Sequence, residues 1–237
     1  MGAIKNIDKK GDNVKILIIN PNSSMEMTEA IQKSADNYAR GEFEVVCKST
    51  EGAPKFIETY EDQFKAAPGM IDMVRNYECE YDAFIIACHC DPNIELLKEI
   101  TNKPVIGIGE SSMKIASMLG HSFSVVSSEK HSIPNKEAVI RKYHLEGSLS
   151  SVRAPETEGC GCSSEEKYLE AATLAIEEDM AEVIVLGCAG LAGLDKSMEI
   201  KLGVPVLDGV ICALILAVGF VRHGITTSKV RRYNPNY

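Results

Sequence analysis

Residues 81–120 read YDAFIIACHCDPNIELLKEITNKPVIGIGESSMKIASMLG, and residues 181–219 read AEVIVLGCAGLAGLDKSMEIKLGVPVLDGVICALILAVG. Both stretches have the same order of parts. Each opens with an apolar run rich in β-formers (84–87; 183–186) that ends at a cysteine, Cys88 or Cys188. A short helical pattern follows, then a strand that begins next to a proline (105–108; 204–207), then a long apolar helical segment. Short apolar runs closed by turn or helix-start signals are the pattern of strands buried on both faces, as in parallel sheets. Strands that alternate with helices imply right-handed α/β crossovers.

The correspondence extends upstream. KILIINPNSS (15–24) matches SFSVVSSEKHSIPN (122–135), each a strand followed by a polar turn, and VVCKSTEGAP (45–54) sits where SVRAPETEGC (151–160) sits. Four elements recurring in the same order about a hundred residues apart read as an internal duplication. The expected architecture is therefore α/β, with two pseudo-symmetric flavodoxin-like lobes, parallel sheets and a cleft between them. Strands are expected at 14–19, 43–47, 84–87, 105–108, 123–126, 183–186 and 204–207, with 149–153 weaker. Helices are expected at 25–38, 64–76, 94–100, 112–118, 136–143, 165–179, 196–201 and 210–223. The first lobe is expected over 14–119 plus a returning C-terminal helix, 209–229, and the second over 120–208. Residues 1–13 and 230–237 read as polar tails.

Composition narrows the function. The chain has 237 residues, 45% of them hydrophobic and 25% charged, with a formal net charge of −9. That is enough apolar material for a core. An acidic chain without basic blocks is a poor partner for nucleic acid or an anionic membrane. The longest apolar run, 210–221, is too short to span a bilayer, and the polar start carries no signal-peptide core. The expectation is a cytoplasmic protein acting on a small molecule. In that setting the eight cysteines are catalytic, metal-binding or merely buried rather than a disulfide framework.

Ligands of open parallel sheets bind beyond the carboxyl ends of the strands, which is where Cys88 and Cys188 fall. Asp91 and Pro92 read as an N-cap and first helical residue just after Cys88. Helix starts after both cysteines are expected to favour their thiolates. Two thiols facing one ligand from opposite sides suit racemisation next to a carbonyl, which needs one ionised and one protonated acid/base group. The backbone N–H groups after each cysteine, at His89, Ala189 and Gly190, are placed to stabilise an enolate oxygen. No cofactor and no metal is required. Cys47, Cys79 and Cys212 read as small buried hydrophobes. Ser23 with Glu26 fits a capping box for the first helix, so Asn20 serves to hold that turn, to meet a ligand, or both. Glu110 follows the strand at 105–108 and is placed to face the cleft. Gly107 and Gly109 lack the third glycine of a dinucleotide fingerprint.

The strings ILIINPNSS (16–24), FIIACHCDP (84–92), KPVIGIGESSMKIASMLGHSFSVVSS (103–128), EVIVLGCAGLAGL (182–194) and GVPVLDGV (203–210) resemble the Asp/Glu/hydantoin racemase superfamily, most closely its hydantoin and allantoin racemase branch. The resemblance covers about residues 14–229. It implies cofactor-independent, two-base racemisation by a cysteine pair matched here by Cys88 and Cys188. It also implies a homo-oligomer and a substrate such as a 5-substituted hydantoin, allantoin or a related amide. Asn20 matches the loop that meets the ligand, and Ser127 and Ser128 match a hydroxyl pair at a strand end. The cysteine contexts depart from those of amino-acid racemases, which carry Cys-Asn-Thr and Cys-Thr-His; this chain has Cys88-His89-Cys90 and Cys188-Ala189-Gly190. Amino-acid racemisation and decarboxylation on the same fold are the alternatives within the family. An alternative of another class uses Cys88, Cys90, Cys160 and Cys162 for zinc or thiol redox, although Cys-x-Cys is tighter than zinc spacing usually is. The 159–162 loop is otherwise expected to touch substrate.

Overall fold

The computed structural model describes residues 14–156 and 164–236. The Cys160/Cys162 loop, the tail 1–13 and Tyr237 lie outside the described residues. Eight strands and eight α-helices follow one another in the order β1 (Lys15–Asn20), α1 (Met25–Ala39), β2 (Glu44–Ser49), α2 (Tyr60–Tyr77), β3 (Ala83–Ile86), α3 (Ile94–Ile100), β4 (Val105–Gly107), α4 (Ile108–Leu119), β5 (Phe123–Val126), α5 (Ile133–Lys142), β6 (Leu149–Arg153), α6 (Glu165–Glu177), β7 (Val183–Leu186), α7 (Asp195–Leu202), β8 (Val206–Leu207) and α8 (Gly209–His223). They form two four-stranded sheets, ordered β2-β1-β3-β4 and β6-β5-β7-β8, and every pairing is parallel. The same strand order in both sheets is the structural counterpart of the repeated sequence.

The inner strands β1, β3, β5 and β7 are covered on both faces, so nearly every residue in them is apolar and buried. In the first sheet, Ile16, Ile18 and Ile85 face one cluster, while Leu17, Ile19, Phe84 and Ile86 face the other. The second sheet divides in the same way. Val125 and Val183 lie on one side, Val126 and Ile184 on the other. β6, whose serines weaken the sequence signal, is an edge strand with every residue half-buried.

The last helix of each half packs on the sheet of the other half. Val210, Ala213, Leu214 and Ala217 of α8 lie against Ile16, Ile18 and Ile85 of the first sheet. Met113 and Ala116 of α4 lie against Phe123, Val125, Val183 and Val185 of the second. The sequence reading assigns both 209–229 and 108–119 to the first lobe. By packing, α4 belongs to the second sheet, because its buried side chains complete that core.

Several local expectations differ from the structure. The N-cap of α1 is Ser24, not Ser23: Ser24 Oγ accepts the Met27 N–H at 3.3 Å, and Asn22 Oδ1 holds the Ser24 N–H at 2.9 Å. α2 starts a turn before its apolar pattern, because Thr59 and Asp62 form a capping box. α4 starts at Ile108 rather than at residue 112. Cys47 and Cys212 are buried, and desolvation pushes both thiols up to about 12. Cys79 is exposed rather than buried.

Candidate active site

The turns after β3 and β7 carry Cys88 and Cys188, and neither leads directly into an α-helix. After Cys88 the chain turns through Asp91 and Asn93, both at positive φ (45° and 60°), before α3 begins at Ile94. After Cys188 there is only a three-residue 3-10 turn, Ala189–Leu191. The expected stabilisation of both thiolates by helix starts is therefore corrected, because the dipole effect is confined to a helix's first turn. Cys188 Sγ instead accepts one hydrogen bond, from the Gly190 N–H at 3.4 Å.

Asp91 caps a helix, but α4 rather than α3. Its Oδ1 accepts the Gly109 N–H at 3.0 Å, and its Oδ2 accepts the Glu110 N–H at 2.7 Å and the Tyr143 hydroxyl at 2.8 Å. Burial pushes this carboxyl up to about 7 against the pull of those donors. The bond from Tyr143, which ends α5, ties the two lobes together beneath the cysteine turn. On the other half, Asp208 is the N-cap of α8 and accepts from Ser34 of α1 and from the Gly193 N–H.

The cation of the site is a residue missed from the sequence. Lys136, on α5, is only 5% exposed, and its ammonium lies 3.6 Å from Cys90 Sγ across the seam. Desolvation works against its charge, but the neighbouring thiols of Cys90, Cys88 and Cys188 more than offset this and raise its pKa. One thiol, that of Cys90, thus lies in direct contact with a buried ammonium. A signal for it existed: Lys136 shares the buried face of α5 with Val139 and Ile140, and a lysine on an apolar stripe needs a partner.

The thiols differ. Cys88 is half-buried; the neighbouring Cys90 thiol, followed by desolvation, holds its pKa well above the ordinary thiol value. Cys90 moves the other way, to about 6, first through the neighbouring Cys88 thiol and then, against desolvation, through Lys136. Of the two thiols, Cys90 is the one whose sulfur lies against the ammonium, so its thiolate is the one that contact favours. His89 is 1% exposed, and neither ring nitrogen has a hydrogen-bond partner. Burial, then Lys136, pulls its pKa well below the usual value, so the imidazole is neutral.

Other expected site residues are committed elsewhere. The Asn20 side chain is fully buried and bonds to Asn22, Ser24 and Thr28, so it holds the turn before α1. Ser127 is buried and hydrogen-bonded to the Ser132 hydroxyl, while Ser128 is half-buried. Ala189 is buried in the core of the first sheet, and Gly190 is exposed. Glu110 is paired with Lys98 and Lys114 and lines a cavity of about 240 Å³ with Phe220 and Tyr233, not the thiol cluster. A second cavity, of about 200 Å³, opens beside Cys90 between Tyr60, Asn93 and Lys142. Among the described residues no three histidine, cysteine or acidic side chains converge as metal ligands.

The chain is similar to known proteins along most of its length. The sequence profile of the family described as Asp/Glu/Hydantoin racemase matches residues 16–217. The hydantoin racemase of Pseudomonas sp. (strain NS671) is 38% identical, over 93% of this chain and 91% of the relative. Two allantoin racemases of known structure superpose well. That of Klebsiella pneumoniae has a TM-score of 0.87 at 32% identity, covering 93% of both chains. That of Pseudomonas fluorescens has a TM-score of 0.86 at 35% identity, covering 93% of this chain and 96% of its own.

Proposed function

Since the chain belongs to the Asp/Glu/hydantoin racemase family and is an isomerase of the racemase type, we propose that Cys88 and Cys188 are its opposed acid/base pair. The observation that carries this is topological. The equivalent strands β3 and β7 of two equally ordered sheets each run into a turn that carries a cysteine, and a buried ammonium, that of Lys136, lies against the Cys88 turn.

The reaction is cofactor-independent racemisation at a carbon activated by a neighbouring carbonyl. In the proposed cycle the thiolate on one face takes the proton from that carbon, and charge moves onto the carbonyl oxygen. The thiol on the other face then returns a proton to the carbon, which inverts it. The two cysteines exchange roles for the opposite enantiomer. The Lys136 ammonium and the N–H groups of the cysteine turns at His89 and Ala189 are the donors available to the enolate oxygen, with Ser128 at the mouth of the second lobe. Positioned donors in a desolvated site account for a large part of such catalysis, and a positioned acid or base contributes about 10²–10⁴-fold.

The substrate proposed is a small, ring-activated amide: a 5-substituted hydantoin or allantoin. It rests on the hydantoin and allantoin racemases that match along more than nine-tenths of this chain. We place the reaction in the cytoplasm; no helix among the described residues is long and apolar enough to cross a membrane. A homo-oligomer is part of the proposal. Met118 and Leu119, large and exposed at the end of α4, offer it an apolar surface.

Incubation of single-enantiomer hydantoins, allantoin and amino acids in D₂O, followed by NMR and polarimetry, tests the reading. Deuterium is expected at the chiral carbon of a hydantoin or of allantoin. Cys88→Ser and Cys188→Ser are each expected to lower racemisation by about 10²-fold or more. Full racemase activity in both single variants would remove the two-thiol mechanism.

A further inference from the structure

The two halves of the site share a plan but differ sharply where each cysteine turn meets a helix of the other half. Two residues beyond each catalytic cysteine, the turn meets the first helix of the opposite half. On the Cys188 side the meeting is apolar: Gly190 lies under Met27 of α1, whose methyl is 3.7 Å from where a Cβ would stand. On the Cys88 side it is charged: Cys90 lies under the buried ammonium of Lys136 on α5. Met27 and Lys136 occupy nearly the same place in their helices, so the internal symmetry is broken by one ammonium and one extra thiol.

We propose that Cys90 is a proton-relay partner of Cys88, holding the negative charge against Lys136 in the resting enzyme and accepting the Cys88 proton when Cys88 must act as base. It acts through Cys88 and is therefore a positioning residue; the proposal rests on the acid/base reading of Cys88 and Cys188. The step balances. Cys88–SH and Cys90–S⁻ become Cys88–S⁻ and Cys90–SH, with one proton moved and no change in net charge. Cys88–S⁻ then takes the substrate proton, and Cys188–SH supplies the other face and is left as thiolate. The cycle closes when the proton now on Cys90 is returned, through solvent, to Cys188.

The surrounding charges favour this division. Lys136 and Lys142 face Cys90 from α5, Cys88 and Asp91 flank it on its own turn, and Glu95 approaches from α3. Glu95 is taken by Lys142 at 2.6 Å, and Asp91 by its three donors. His89 is neutral and has no partner. That leaves the thiols as the counter-charge of Lys136, and Cys90 is the one in contact with it.

The test compares the wild-type chain with Cys90→Ala, Cys90→Ser and Lys136→Met, using melting temperature as a check on folding. Ultraviolet thiolate absorbance is read from about pH 5 to about pH 10, and racemase kcat/KM over the same range. Wild type is expected to show a thiolate already formed at neutral pH. That thiolate should be missing in both Cys90 variants and should form at least about one pH unit higher in Lys136→Met. The acid limb of kcat/KM is expected to move up by at least about one pH unit in the Cys90 variants, with activity recovering toward alkaline pH. A loss of activity equal at every pH, or a neutral-pH thiolate that persists without Cys90, overturns the relay. A wild-type chain that holds this thiolate yet exchanges no substrate proton overturns the acid/base reading instead, and the relay with it.

Discussion

At Gly107 a Cβ would stand 2.2 Å from the Asp91 carboxyl carbon, and at Gly109 one would stand 2.2 Å from the His89 carbonyl oxygen. These glycines, which resemble a fragment of a nucleotide-binding loop in the sequence, exist to let the Cys88 turn press against the start of α4. The second half solves the same capping problem with a different residue. Where β4 ends in Gly107 and borrows the Asp91 carboxylate, β8 is followed by Asp208, which caps α8 itself by accepting the Val210 N–H at 2.7 Å. Gly107→Ala is therefore expected to displace Asp91, free the first N–H groups of α4 and destabilise the protein by about 2–4 kcal/mol, combining overpacking with a lost cap. A urea melt measures this; an unchanged midpoint would mean that the turn yields without cost.

At the scale of elements, the caps of the exchanged helices matter most. Asp208 is 3% exposed and joins three parts: the start of α8, Ser34 of α1 and the Gly193 N–H in the loop before α7. Asp208→Ala is expected to cost about 2–4 kcal/mol, because it leaves buried donors unpaired as well as removing a cap. Asp208→Asn, which keeps an oxygen for Val210, is expected to cost less. Equal losses in chemical denaturation would show that the carboxylate's packing, not its acceptors, is what counts. The order and type of all the elements were legible because buried parallel strands appear as bare apolar runs such as 84–87 and 183–186. Their ends were less so, because caps such as Ser24 and Asp91 depend on side chains that reach across turns. In the candidate site, the repeat singles out Cys88 and Cys188, the pair on which the proposal rests. The commitment of Asn20 to its own turn and the partner of Lys136 were not legible in the same way. The first depends on which groups a folded turn uses up, and the second on a helix of one lobe meeting a loop of the other.

The whole molecule is tied together by the exchange of α4 and α8. Each sheet has one face that is completed only by a helix whose own strand lies in the other sheet, β4 leading into α4 and β8 into α8. The halves look like separable domains in sequence, but neither encloses its core alone. Met113→Ala removes side-chain volume from the core of the second sheet, and Leu214→Ala does the same in the first; each residue is fully buried. Such truncations cost about 2–5 kcal/mol. If the exchange couples the sheets, each variant lowers a single cooperative transition, and exchange-protected amides of both sheets lose protection together. If the lobes were independent, Met113→Ala would loosen β5 and β7 and leave β1 and β3 untouched. Hydrogen exchange resolved by strand separates the two outcomes. The coupled outcome also bears on the proposed catalysis: Cys88 and Cys188 follow strands of different sheets, so the spacing of the proposed acid/base pair is held only as firmly as the sheets are held to each other.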